Sequence, residues 1–261
     1  MFKIVIFAQT IETFLDRKLA LEQLTLGSVS VIWCDSSREC RGALIGKYER
    51  EWLLFLDHDC NIDQGIVDSI KKIISKVGSV ENRIYTGIYL NPEPCSYFQR
   101  GHNFIANTWL SQSYEDAECN KLLLGGAFLI YSKERLRYSH QFIFWGVEDK
   151  VLSYELNDRG FVFDRLPELR VLHNTNDSIW HFVRRAFLHG RNEVKYLNIN
   201  KNKINYQFWI RRIDSEGSNL WPLILLHFCI QRAGVSIQRV LQLNKLLESD
   251  KNRENPNQKK M

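Results

Sequence analysis

The chain has 261 residues, of which 44% are hydrophobic and 25% are charged, and its formal net charge is +5. This composition excludes a disordered or fibrous protein, and the length is sufficient to bury a substantial core. The mild positive charge is weighted towards the C-terminal half, which fits an anionic ligand, an acidic membrane surface or nucleic acid and does not choose among them.

The six cysteines form no CxxC pair and show no zinc-like spacing. A chain of this size does not need a disulfide framework, so we expect free, buried thiols in a reducing compartment. The segment 2–7 is a strand pattern that directly follows Met1, without the longer apolar region and cleavage site of a signal peptide. No stretch reaches the roughly 18 to 20 apolar residues that span a bilayer. These features predict a cytoplasmic protein.

The first half of the chain alternates strand patterns with helical patterns. Strands are predicted at 3–7, 29–33, 52–56 and 83–90, and helices at 10–26, 41–50 and 64–77. Several of these strands are apolar on both faces, which is typical of a mainly parallel sheet covered by helices on both sides. The predicted fold class is therefore α/β.

The second half is less regular and begins after the break at 91–94. Strands are predicted at 122–131, 161–163 and 170–172, and helices at 148–159, 178–196 and 220–247. Gly125 and Gly126 interrupt the first of these strands and indicate close backbone approach. We divide the chain into a main domain (1–196, with halves 1–90 and 91–196), a C-terminal helical extension (197–249) and a polar, flexible tail (250–261).

Acidic residues follow two of the predicted strands. Asp35 comes after the strand 29–33, and Asp57 and Asp59 come after the wholly apolar strand 52–56. Ligands bind outside the carboxyl ends of strands in parallel α/β sheets, and two carboxylates in an i, i+2 pair can face one hard cation such as Mg²⁺ or Mn²⁺. The alternative is a solvated acidic turn, because Asp-x-Asp also occurs by chance.

Two further segments carry candidate chemistry. Glu148 and Asp149 begin a predicted helix behind the aromatic-glycine segment 144–146, where apolar rings tend to raise a carboxylate pKa and suit a general base. Acidic residues also decorate helix N-termini without any catalytic role. His173 follows the strand 170–172; a lone histidine is more often structural, but the aspartate pair needs further ligands.

In this order, the segments resemble the family-2-type glycosyltransferases of the GT-A fold over roughly residues 1–190. The resemblance is carried by Val31–Ser37, by Trp52–Asp59 with its Asp-His-Asp triplet, by Gly125–Phe128 and by the Trp-Gly-Val-Glu-Asp segment 145–149. It implies a metal-dependent enzyme that moves a sugar from a nucleoside diphosphate sugar, usually UDP-linked, to an acceptor hydroxyl with inversion. Mn²⁺ or Mg²⁺ is the implied cofactor.

The resemblance also implies residue roles. Asp59 and His173 would bind the metal, and Asp57 would contact the ribose or the metal through water. Donor contacts are expected from Gln9, Asp35 and Arg41. Apart from the resemblance, Arg185 in the predicted helix 178–196 could reach the diphosphate or a charged acceptor, or it could belong to a basic solvated face. Asp149 would be the base and Glu148 would hold the acceptor, with Gly126, Trp145 and Gly146 lining the acceptor pocket. The chain departs from the family where Gly42 replaces an asparagine and where 8–10 replaces the usual Pro-x-Tyr/Phe-Asn opening.

Surface glycan or polysaccharide synthesis is implied by the resemblance alone, with a hexosyl or N-acetylhexosaminyl group and a glycan or lipid-linked acceptor. The segment 220–247 fits either packing against the catalytic domain or peripheral contact with the inner face of the membrane. A retaining mechanism stays open, and the oligomeric state is unknown.

Three rival functions are considered. A nucleotidyltransferase would need a glycine-rich triphosphate loop near the first strand, and 7–10 contains none. A non-catalytic sugar-nucleotide or glycan-binding module would not need Glu148, Asp149 and His173. A nucleic-acid binder would interleave aromatic and basic residues, whereas the aromatic residues here lie mainly in apolar runs, so no nucleic-acid partner is expected.

Overall fold

The computed structural model describes residues 2–36, 41–78, 82–115, 123–133, 148–175, 178–197, 205–216 and 218–254. Its strands are β1 (Phe2–Ala8), β2 (Ser30–Asp35), β3 (Trp52–Asp57), β4 (Cys60–Asn61), β5 (Arg83–Leu90), β6 (Ala127–Tyr131) and β7 (Val162–His173). Its helices are α1 (Ile11–Leu24), α2 (Arg41–Lys47), α3 (Gln64–Val77), α4 (Tyr97–Glu115), α5 (Glu148–Asp158), α6 (Ile179–Leu197), α7 (Tyr206–Glu216) and α8 (Trp221–Glu254), with a 3-10 turn at Ser218–Leu220.

The described strands form one seven-stranded sheet in the order β2-β1-β3-β6-β5-β7-β4. β1 pairs in parallel with β2 and β3, and β5 pairs in parallel with β7. β6 is antiparallel to both β3 and β5, and the short β4 is antiparallel to β7. All the described strands except β4 and β6 therefore run in one direction, which confirms the predicted α/β class with a mainly parallel sheet.

The strand β3, which lies between β1 and β6, is buried on both faces. Leu54 and Leu56 belong to one hydrophobic cluster, while Leu53 and Phe55 belong to the cluster on the opposite face. All four side chains are at most 1% exposed, and Phe55 stacks on Phe128 of β6 at 4.8 Å between ring centroids. Full burial on both faces explains why the strand is continuously apolar.

Start and stop signals place several elements as predicted. The Thr10 side chain accepts from the Thr13 N–H at the start of α1, and the Asp63 side chain accepts from the Ile66 N–H at the start of α3. These caps satisfy backbone donors that a helix leaves unpaired. Gly78 has a φ of +67° at the end of α3, a conformation that glycine adopts without steric cost.

The structure differs from the sequence prediction in the second half. Helices α4 and α7 were not predicted, and the two short strands expected at 161–163 and 170–172 are parts of the single strand β7. The helix α4 buries polar side chains such as Gln99, Asn103 and Gln112, which interrupt the apolar periodicity. Within β7, the segment 164–168 likewise interrupts the apolar pattern. The pairing of β7 with β5 is irregular between Thr86 and Ile88 of β5.

The helices α6 and α8 approach each other closely at two glycines. A Cβ on Gly190 would meet the backbone carbonyl of Gln231, and a Cβ on Gly234 would meet the carbonyl of Phe187. α8 therefore packs directly on α6 and continues to Glu254, past the predicted start of the polar tail at Asp250. The proposed division into main domain, extension and tail stays a prediction.

The structure can be compared with two sequence predictions, which concern membrane-spanning segments and the burial of free cysteines. None of the described helices combines the length and the apolar character needed to cross a bilayer. The described cysteines are free, and Cys34 and Cys60 are buried as predicted. The expectation of burial is wrong for Cys95, which is partly exposed, and for Cys229, which lies on the exposed face of α8. Cys40 and Cys119 lie outside the described residues.

Candidate active site

A cavity of about 570 Å³ opens at the carboxyl ends of β1 and β3. Residues from distant parts of the sequence meet there because β1 and β3 are adjacent parallel strands, while α4, α5, α6 and α8 bring side chains from the other sides. The nine predicted site residues that line the cavity are Gln9, Arg41, Asp57, Asp59, Gly126, Glu148, Asp149, His173 and Arg185. The structure thus brings most of the predicted residues into one place.

Asp57 is the last residue of β3, and its backbone N–H donates to the carbonyl of Gly126 at 3.1 Å. A Cβ at residue 126 would overlap the Asp57 carboxylate and would come within 2.8 Å of the Tyr89 hydroxyl. Gly126 therefore makes room for the carboxylate. Desolvation by burial raises the pKa of Asp57, while the nearby Arg41 guanidinium opposes this shift.

Asp59 and His173 are brought together by the two-residue strand β4. Cys60 pairs with His173 in the sheet, and the N–H of Asn174 donates to the Asp59 carbonyl at 2.8 Å. Asp59 Oδ2 lies 3.4 Å from Nε2 of His173. Burial is the largest single influence on Asp59 and would raise its pKa, but the contact with His173, together with smaller contributions from His58 and Arg185, outweighs it and lowers the pKa to about 2.

The other nitrogen of His173 has a partner of its own. Nδ1 lies 2.6 Å from Oδ1 of Asn103 on α4, and the ring stacks on Tyr89 at 4.4 Å between centroids. The ligand atoms of Asp59, Cys60 and His173 all lie within 4.8 Å of one another. A carboxylate and an imidazole oriented by an outer partner suit a divalent transition ion such as Mn²⁺, so these residues fit the implied metal.

Arg41 joins two of the acidic residues across the cavity. Its guanidinium forms ion pairs with Asp57 and with Glu148, and its backbone N–H donates to Glu148 Oε1 at 3.1 Å. The guanidinium carbon also lies 3.9 Å from the centroid of the Phe7 ring. The Arg41 side chain is only 6% exposed, so this network fixes Glu148 at the start of α5 against the end of β3.

Asp149 lines the cavity beside Glu148 without belonging to the Arg41 network described above. It lies in the first turn of α5, and its Oδ1 accepts from the N–H of Lys150 at 2.9 Å. A carboxylate is favoured at a helix N-terminus by the unpaired N–H groups there. Of the two adjacent acidic residues, Glu148 is held by an arginine and Asp149 faces the cavity.

Basic and aromatic residues form the remaining wall. These are His102 and Trp109 on α4, Lys150 on α5, Phe182, Arg185 and His189 on α6, and His227 on α8. Nε2 of His102 lies 2.8 Å from an Arg185 nitrogen, and Lys150 pairs with Glu193. Sequence reasoning identified only Arg185 of this group. The i, i+4 spacing of Arg185 and His189 was the available signal, because it places both on one face of a helix.

Three predicted residues are not placed at the cavity. Asp35 ends β2 as expected, but its neighbour Ser36 lines the cavity and Asp35 does not. The predicted acceptor residues Trp145 and Gly146 lie outside the described residues. The roles assigned to all the predicted site residues stay predictions.

No family model and no curated protein matches this chain. Among solved structures, glucosyl-3-phosphoglycerate synthase from Mycobacterium tuberculosis in complex with Mn²⁺, UDP and phosphoglyceric acid is 14% identical, with a TM-score of 0.41 and coverage of 75% of this chain and 78% of that one. Another structure of that synthase is 15% identical, with a TM-score of 0.41 and coverage of 76% and 80%. A solved structure of a mycobacterial protein is 12% identical, with a TM-score of 0.40 and coverage of 75% of this chain and 74% of that one. These identities and TM-scores are too low to assign a role to any residue of the cavity. The chemistry of the residues themselves must therefore support each role.

Proposed function

We propose that this protein is a metal-dependent glycosyltransferase that moves a sugar from a nucleoside diphosphate sugar, of the UDP type, to an acceptor hydroxyl with inversion. One observation carries the proposal. Asp59 and His173 lie within 3.4 Å of each other in the same cavity as Glu148 and Asp149. A metal-binding pair and a separate carboxylate at the carboxyl end of a sheet are what such a transfer needs.

In this proposal, Asp59 and His173 hold Mn²⁺ or Mg²⁺, and Asn103 keeps the His173 ring in the required orientation. When bound, the cation would neutralise the charge that develops on the leaving diphosphate. Arg185 contributes its positive charge on the same side, since it helps to lower the pKa of Asp59. Asp57 is paired with Arg41, which favours a role in orienting the ribose or a metal-bound water over direct ligation.

Asp149 is the proposed base. Its carboxylate takes the proton of the acceptor hydroxyl while that oxygen forms a bond to the anomeric carbon and the bond to the diphosphate breaks. A single displacement of this kind inverts the anomeric centre. Glu148 is less suited to accept a proton because Arg41 holds it as a carboxylate, so we assign it to positioning of the acceptor.

The finer assignments are proposals as well. They are a hexosyl or N-acetylhexosaminyl group, a glycan or lipid-linked acceptor in surface polysaccharide synthesis, and peripheral contact of a cytoplasmic protein with the membrane through 220–247. Leu225, Val240 and Leu243 on α8 are each more than half exposed, as an interfacial helix requires. If the purified protein did not sediment with anionic liposomes at low salt, the membrane contact would be excluded.

The function is tested by measuring UDP binding and UDP release from a panel of UDP-sugars, with Mn²⁺ and with EDTA. We expect Mn²⁺-dependent UDP binding that Asp59→Ala abolishes. Asp149→Asn should leave this binding intact and lower turnover by about 10² to 10⁴-fold, the usual contribution of a general base. Wild-type turnover in Asp149→Asn would overturn its assignment as the base. Pyrophosphate release from a nucleoside triphosphate and a sugar phosphate would overturn the glycosyltransferase in favour of a nucleotidyltransferase.

A further inference from the structure

One end of the cavity is built by residues to which the proposed chemistry assigns no task. We call the group Trp109, Lys150, Phe182, His189 and His227 the histidine compartment. It is formed by α4, α5, α6 and α8. Lys150 lies 5.2 Å from the centroid of the Trp109 ring, and His227 meets Phe182 edge-on at 5.9 Å. Lys150 directly follows Asp149 in the chain, so the compartment begins next to the proposed base.

His189 and His227 have unused hydrogen-bonding capacity. His227 is 7% exposed, and among the described residues no hydrogen bond reaches the ring nitrogens of either histidine. Buried polar groups nearly always have a hydrogen-bond partner. Here two imidazoles on the wall of a cavity lack such a partner among the described residues. This indicates that a ligand with hydroxyl groups, or water in its place, donates hydrogen bonds to them and accepts hydrogen bonds from them.

The charges of the compartment favour an uncharged ligand. The Lys150 ammonium is paired with Glu193, which also accepts from Gln231 at 3.1 Å. Burial, together with the charge of Lys150, lowers the pKa of both histidines, to about 4 for His227. The imidazoles are therefore neutral at pH 7, and the compartment offers no uncompensated positive charge to an anionic group. Asp149, which lines the cavity beside the compartment, would repel such a group.

Apolar side chains line the cavity as well. Ile105, Leu110 and Leu123 line the same cavity. Apolar surfaces with a few directed polar groups recognise molecules that have both an apolar face and hydroxyl groups. A pyranose ring has this combination, because its C–H groups form an apolar face and its hydroxyls project from the edge.

We propose that the histidine compartment is the acceptor subsite and that it takes an uncharged, hydroxylated ring in preference to a phosphorylated or carboxylated one. His189 and His227 hydrogen-bond the ring hydroxyls, and the aromatic walls contact its apolar face. The reacting hydroxyl then lies towards Asp149. This inference rests on the proposed function, since it needs a donor sugar at the carboxylate side of the cavity.

The test compares methyl glycosides with the uronic acid and the 6-phosphate of the same ring, at saturating UDP-sugar and Mn²⁺. We expect kcat/KM to be at least tenfold higher for the uncharged glycoside. His227→Phe retains an aromatic ring but removes the hydrogen bond, and it should lower kcat/KM for that glycoside by at least tenfold. Equal or better use of the charged acceptors, or unchanged acceptor use in His227→Phe, would overturn the inference.

Two measurements separate this result from a failure of the proposed function. UDP affinity in the presence of Mn²⁺ should be unchanged in His227→Phe, and His189→Phe should repeat its acceptor effect. His181→Phe is the matched control, because His181 lies on the same helix as His189 but is exposed, and it should behave as wild type. If wild-type protein bound no UDP with Mn²⁺, the proposed function itself would fail and the inference with it.

Discussion

Oδ1 of Asn103 lies 2.6 Å from Nδ1 of His173, and this contact decides which nitrogen of the ring faces Asp59. The Asn103 amide nitrogen is 2.9 Å from Oδ1 of Asn91, so its oxygen is the atom turned to the histidine. An amide oxygen only accepts hydrogen bonds, so Nδ1 of His173 carries the proton. In the neutral ring, Nε2 then presents its lone pair beside the Asp59 carboxylate, as a metal ligand does.

Asn103→Ala should therefore weaken Mn²⁺ binding by about 10- to 100-fold, the usual effect of removing an outer partner of a ligating histidine. Asn103→Asp retains an acceptor for Nδ1–H and should retain most of the affinity. Mn²⁺ titration by calorimetry checks both variants, and thermal unfolding checks that each is folded. Equal affinity in Asn103→Ala and wild type would contradict the role of Asn103.

The Arg41 network predicts a large loss of stability when its cation is removed. Arg41→Met leaves Asp57 and Glu148 without their buried partner, and breaking a buried ion pair from one side costs about 3 to 5 kcal/mol. Urea unfolding at pH 7 measures the change in the free energy of unfolding. Lys18→Met removes the exposed pair between Lys18 and Glu22 and should cost less than about 1 kcal/mol. Similar losses in the two variants would contradict the buried network.

Gly126→Ala should impair the site while leaving the fold largely intact. The added methyl group would overlap the Asp57 carboxylate and crowd the Tyr89 hydroxyl, so Asp57 must move away from Arg41. We expect a loss of UDP-sugar turnover of at least tenfold. Gly65→Ala is the control, since Gly65 lies in the first turn of α3, where an added methyl group meets only the Asp63 side chain. Wild-type turnover in Gly126→Ala would show that the position tolerates a side chain.

Acid should destabilise the protein through its buried histidines. The pKa of His227 is lowered from about 6.5 to about 4 by burial and by Lys150. The unfolded chain binds protons more readily in this range, so the free energy of unfolding should fall between pH 6.5 and pH 4, by about 3 kcal/mol for this residue. The pKa of His189, lowered by burial and by Lys150, acts in the same direction.

Urea unfolding at several pH values, in wild type and in His227→Phe, checks this prediction. The variant should lose less stability between pH 6.5 and pH 4 than the wild type does. Asp59 interferes little, because its contribution is lost mainly as the pH falls from 3.8, the ordinary pKa of an aspartate, to its lowered pKa of about 2. The raised pKa of Asp57 acts in the opposite direction and is present in both proteins. Identical slopes would mean that His227 is not buried in its neutral form.

The extent to which the sequence predicts this structure depends on how local each signal is. The helix α3 and the strand β5 have the predicted bounds, because caps, glycines and unbroken apolar patterns mark them. Asp57 and Asp59 were identifiable because they end a continuous apolar strand. The helix α4 was not, because its buried face includes Gln99 and Asn103, whose hydrogen-bond partners are distant in sequence.

Apart from Arg185 and the helical spacing that links it to His189, the basic and aromatic wall of the cavity was beyond sequence reasoning for a related reason. His102, His189 and His227 belong to three helices and share no motif, and only the packing of α6 on α8 brings the last two together. The strand β4 was also missed, since two residues give no periodicity, although it places Asp59 beside His173. Contacts of this kind follow from topology, which a local pattern does not contain.

The close crossing of α6 and α8 has a consequence for how such an enzyme can diversify. The carboxylates that we propose to serve the donor are attached to the sheet or to the network that Arg41 makes with it. His189 and His227 are instead carried by α6 and α8, which meet at Gly190 and Gly234. Substitutions on these helices can reshape one wall without altering the register of β3 or β4. Under the proposed function, this separation lets the acceptor change over evolutionary time, or by laboratory selection, while the chemistry at the donor is inherited intact.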